Sequence, residues 1–72
     1  MVINLIAVGK TEQEALGKLR EMEDRNYAEA QKMMKAQGED PNLLAQTWEV
    51  LESNIGFDKK AGHWVAVKRI HP

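Results

Sequence analysis

Between Thr11 and Gln37 apolar residues recur at spacings of three and four: Ala15, Leu16, Leu19, Met22, Tyr27, Ala30, Met33 and Met34. That period predicts one long amphipathic helix, around which the rest of the chain is organised. Thr11 with Glu14 three residues on marks its start as a capping box, in which hydroxyl and carboxylate each satisfy a free amide. Gly38 marks its end, being suited to the left-handed residue that closes a helix. Asp40-Pro41 then reads as a new N-cap with proline at the first helical position. On the polar side Glu14 with Lys18, Glu21 with Arg25 and Arg20 with Asp24 stand at i,i+4, each pair worth about 0.2–0.5 kcal/mol. Gly17 costs roughly 1 kcal/mol against alanine inside a helix, which points to close packing there.

Upstream, Val2 to Val8 is apolar except for Asn4 and ends at Gly9, so it predicts a strand. Alternation sends Val2, Ile6 and Val8 to one face and Ile3, Leu5 and Ala7 to the other, and both faces need cover. Downstream, Asp40-Pro41 predicts a short helix to about Ala45 or Gln46. Residues 48–57 fit two periods. Leu44, Trp48, Leu51 and Ile55 stand at helical spacing, whereas Leu51, Ser53, Ile55 and Phe57 alternate as a strand does. The strand is preferred, because Asp58-Lys59-Lys60-Ala61-Gly62 is a turn and His63 to Ile70 follows as the second half of a hairpin. In that last strand Trp64, Ala66, Lys68 and Ile70 share one face, with Val65, Val67, His63, Arg69 and His71 on the other. Gly56 reads as a bulge. The expected fold class is α+β in the order β-α-α-β-β, a small antiparallel sheet on a long helix, with residues 1–72 as one domain.

The chain has 72 residues, and a domain of that size buries only about 60% of the surface its unfolded form exposes. Cysteine is absent, so neither a disulfide nor a thiolate zinc site adds stability. Homo-oligomerisation is the expected supplement, a second copy covering the sheet's other face. The helix, at roughly 40 Å, also outruns a seven-residue strand of about 23 Å, so it is expected to kink or to overhang onto a neighbour. No apolar run approaches membrane length and no signal peptide is evident, which predicts a soluble cytoplasmic protein.

Charge changes this picture at one end. Residues 1–57 hold six Lys/Arg against ten Asp/Glu, net -4, while residues 58–72 hold four against one, net +3. The hairpin end is a basic patch suited to an acidic protein surface, and the overall charge of -1 argues against nucleic acid. Trp48 and Trp64, the only tryptophans, belong to the same hairpin. With Lys59, Lys60, Lys68 and Arg69 they form the candidate partner-binding set.

Catalytic and metal chemistry find little purchase. Gly9-Lys10-Thr11 sits between strand and helix like the end of a phosphate-binding loop, but Asn4 stands where that loop needs glycine. The free amides there with Lys10 still offer a possible anion-binding site at Gly9, Lys10 and Thr11. His63 and His71 lie roughly 26 Å apart along a strand, too far to share a metal. Ser53, the only serine, has no evident base.

Trp48-Glu49-Val50-Leu51 followed by Trp64-Val65-Ala66-Val67-Lys68-Arg69 is similar to small bacterial β-α-β-β domains of unknown function, whose second strand opens with Trp-Glu. It also resembles the dodecins, oligomeric flavin binders with a tryptophan in the second strand, which implies flavin stacking on Trp48. The long helix and the Asp40-Pro41 turn lengthen the connection beyond either family's pattern, so no cofactor is expected. The functional expectation is a non-catalytic homo-oligomeric interaction module, of the kind small bacterial or phage proteins use to bind and modulate a larger protein. The second expectation is a small anionic ligand, nucleotide- or flavin-like, bound between subunits.

Overall fold

The computed structural model describes residues 1–72. Strand β1 spans Ile3–Gly9 and helix α1 Glu12–Ala36. A single 3-10 turn, Pro41–Leu43, leads into the short helix α2, Leu44–Thr47. Strands β2, Glu49–Asp58, and β3, His63–His71, complete the chain. The fold is α+β in the expected order, with a three-stranded antiparallel sheet arranged β1-β3-β2.

Local chemistry accounts for most boundaries. Thr11 Oγ1 accepts from the Glu14 amide at 3.1 Å, so one orphan donor of the first turn is satisfied. Gly38 takes φ 79°, and the Glu39 amide then reaches back to the Met34 carbonyl at 2.8 Å, closing the helix as a Schellman-type end does. Asp40 caps the Asn42 amide at 3.0 Å. The fork at residues 48–57 resolves as strand, since the turn after it is firmly built. Asp58 Oδ1 accepts from the Lys60 and Ala61 amides at 3.0 and 3.2 Å, and Gly62 takes φ 72°.

The core lies between α1 and the sheet and is small. Eight of the 72 residues are buried, and Leu5, Ala7, Ala15, Leu19, Ala66 and Ile70 form its centre. Gly9 is packed so closely on α1 that a Cβ there would sit 2.6 Å from the Ala15 backbone nitrogen. Its missing side chain lets the chain double back from strand to helix.

Four expectations need correction. A Cβ at Gly17 would meet no other part of the chain within 4 Å, so Gly17 is not a close-packing site. The β-bulge falls at Leu51, between Val50 and Glu52, and not at Gly56. It turns Val50 onto the face of Ser53, Ile55 and Phe57, where strict alternation would have put Leu51. Of the three i,i+4 charge pairs only Glu14–Lys18 forms, at 3.2 Å. Finally, α1 does overhang the sheet in a molecule 47 Å long and 18 Å wide, and its own chain meets one side of the far end while Met33 stays exposed. The segment Pro41–Thr47 folds back along it, with Gln31 Nε2 donating to the Pro41 carbonyl at 3.5 Å and Leu44 buried.

Candidate interaction surface

The six hairpin residues do not make one patch. Cross-strand register assigns their faces: Trp64 pairs with Gly9 and Phe57, Lys68 with Leu5 and Ser53, Arg69 with Asn4 and Glu52. Trp64 and Lys68 therefore share the helix side of the sheet, and Arg69 lies on the other.

On the helix side Glu23 gathers two of the six. Its carboxylate accepts from Trp48 Nε1 at 3.1 Å and from Lys68 Nζ at 2.5 Å. Trp48 also meets Tyr27 edge to face, ring centroids 4.9 Å apart. Helix, α2–β2 junction and β3 are thus tied at one polar point. Partial burial works to raise the Glu23 pKa, but the hydrogen bonds from Lys68 and Trp48, with the Lys68 charge, outweigh it and hold the carboxyl below its ordinary value. Nothing in the sequence distinguishes Glu23 from a solvated helix glutamate, because its partners lie 25 and 45 residues away.

A folded-state pKa below the unfolded value contributes stability at pH above about 4.3, the unfolded glutamate value. That contribution is lost as pH falls through the lower folded-state value. Glu23→Gln is expected to cost about 1–3 kcal/mol at neutral pH, since Lys68 loses its counter-charge in a site where its side chain is 22% exposed. Its stability should also fall less steeply than that of the parent below about pH 4.3. Unfolding curves for both chains between neutral and acid pH measure this, and parallel curves would contradict it.

At the other end of the hairpin, Trp64 packs on the core and meets Phe57 edge to face, centroids 5.6 Å apart. Phe57 is half exposed, and Lys59 and Lys60 stand exposed on the turn beside it. Trp64, Phe57, Lys59 and Lys60 therefore form an aromatic and basic tip, to which the sequence reading had not assigned Phe57.

The sheet's other face is uncovered. Ile6 is 61% and Val8 43% exposed, and Val65 and Val67 beside them on β3 are half-buried. Arg69, in contact with Glu52 at 3.7 Å, closes one end of this apolar strip. Gly56 leaves a shallow hollow of about 460 Å³ next to Val65 and Val67.

At Gly9, Lys10 and Thr11 the cap is already engaged: Thr11 holds the Glu14 and Ala15 amides through its hydroxyl and carbonyl. His63 and His71 stand at opposite ends of β3, and no three His, Asp or Glu side chains gather in a metal-holding group. No helix is long and apolar enough to cross a membrane. Neither a protein-family model, nor a curated protein, nor a solved structure matches the chain.

Proposed function

We propose that the chain is a non-catalytic, homo-oligomeric interaction module that works in the cytoplasm, binding a larger protein with an acidic surface and modulating it, by inhibition in the simplest case. One observation carries this reading. A sheet with a helix on one side only exposes Ile6 and Val8 on the other, in a chain with eight buried residues, and contiguous apolar surface of that kind marks a surface meant for a partner. Self-association supplies burial that the single chain lacks. The aromatic and basic tip supplies charge that steers an acidic partner.

Lys59→Glu with Lys60→Glu tests the partner half. The turn is held by Asp58 and Gly62, so the double reversal should leave the melting temperature within a few degrees of the parent, about what surface changes do. Association with the partner recovered by pull-down from the native host should slow, most at low salt where screening is weak. Unchanged association rates at low salt would refute the tip as the contact surface.

A further inference from the structure

We infer that two copies of this chain pair edge to edge through β1, antiparallel about a twofold axis at Ala7, and so join their sheets into one of six strands. The inference rests on the self-association in the reading above and places it at the strand edge and the helix flank, leaving the apolar face of Ile6 and Val8 open for the partner protein.

β1 is an outer strand of the sheet, and its outward row of backbone N–H and C=O groups has no strand beside it. Natural sheet edges are protected from such pairing by charge, proline or bulges. The opposite edge, β2, carries Glu49, Glu52 and Asp58 and a bulge at Leu51. β1 reads Ile-Asn-Leu-Ile-Ala-Val-Gly, with no charge, no proline and unbroken register over all seven residues.

The helix sets the register of the joint. α1 packs chiefly on β1 and β3 and scarcely touches β2, so it runs over the β1 side of the sheet. With strands about 4.8 Å apart, two such helices meet across a β1–β1 joint about 10 Å axis to axis, an ordinary packing distance. Leu16, Leu19 and Glu23 line the groove toward Ser53 and Lys68. The flank turned the other way, toward the joint, carries Glu14, Lys18, Glu21 and Arg25 at helical spacing, in alternating sign.

Gly9 lies level with Ala15, since the two backbones touch. From that level the strand descends about 3.3 Å per residue and the helix about 1.5 Å, which brings Ala7 level with Leu19 and Arg20. Ala7 and Leu19 do share the core cluster. A twofold axis at Ala7 therefore sets Glu14 opposite the partner's Arg25 and Lys18 opposite the partner's Glu21, each twice by symmetry. Moving the axis to Ile6 sets Lys18 against the partner's Arg25 and Glu14 against the partner's Glu29. Moving it to Leu5 leaves Lys18 with the partner's Glu29 as the sole charge match. The charge pattern fits one register of the three.

In that register Ile6 faces the partner's Val8. The open faces then run together, with Ile6 and Val8 of both copies side by side and the polar residues of β2 at both rims.

The chain lacks cysteine, so introduced thiols report cleanly. Ile6→Cys and Val8→Cys, both at exposed positions, are prepared separately, mixed and mildly oxidised. Directly opposed residues lie about 5 Å apart, within disulfide reach, and like residues, as diagonal neighbours, about 7–8 Å, beyond it. The mixed I6C–V8C disulfide is expected to exceed both homodimers. Arg25→Glu should weaken self-association roughly tenfold at low salt, and Glu14→Arg combined with Arg25→Glu should restore it. A parent that self-associates while forming no excess of the mixed disulfide, or no rescue by the charge swap, would overturn edge pairing and leave self-association standing. A parent that stays monomeric at high micromolar concentration would overturn both.

Discussion

Ile70→Ala is expected to lower the thermal midpoint by roughly 10–30 °C, the shift that a loss of about 2–5 kcal/mol produces in a domain of this size. Ile70 is the largest fully buried side chain. It sits on the central strand, paired with Ile3 on β1 and Val50 on β2, so all three strands converge on it. A domain of 72 residues has about 4–11 kcal/mol of total stability, and such a cavity removes a large share of it. The residues flanking Ile70, Ile3 and Val50, are fixed in the strand ladder on either side, so the gap closes only if whole strands move. Ile70→Val, losing one methylene, should cost only about 1 kcal/mol. Folding linked to association would also make both midpoints rise with protein concentration. An Ile70→Ala midpoint no lower than that of Ile70→Val would show that the surrounding elements do close the gap.

Local chemistry was legible in the sequence, and contacts between distant segments were not. Thr11, Asp40 and Asp58 announce caps and turns through side chains that accept from amides two or three residues away, and Gly38 and Gly62 do so through the positive φ that glycine adopts freely. The strand at residues 49–58 was recoverable because the turn after it is unambiguous, although its own periodicity served helix and strand alike. The bulge at Leu51 had no such sign, since it answers to the register that β3 imposes and not to a glycine. Glu23 was hidden for the same reason, its role being created when Trp48 and Lys68 arrive from elsewhere. The candidate partner residues lie close together in sequence around the hairpin. A strand sends neighbours to opposite faces, so Arg69 parted from Lys68. Trp48 and Lys68 went to the Glu23 junction, and what remains at the tip is Trp64 with the turn lysines.

Trp64→Ala separates framework from contact surface at that tip, and it is expected to cost about 3 kcal/mol, the lower end for a buried tryptophan because this one is half-buried. The indole lies on the helix side of β3 and packs against the core. Its register partners are Gly9 on β1 and Phe57 on β2. Phe57 meets the same ring edge to face at 5.6 Å, an arrangement worth about 0.5–1.5 kcal/mol beyond its buried area. Alanine would forfeit the core packing and the Phe57 contact and leave Phe57 more exposed than it already is. Trp64→Phe keeps an aromatic ring beside Phe57 and on the core, and should recover more than half of the loss. Denaturant unfolding of the three chains gives the comparison directly. Partner binding, measured where each chain is still folded, should then fall more for the Lys59→Glu, Lys60→Glu chain than for Trp64→Phe. A Trp64→Ala chain as stable as the parent to within about 1 kcal/mol, but unable to bind, would instead make Trp64 the contact anchor.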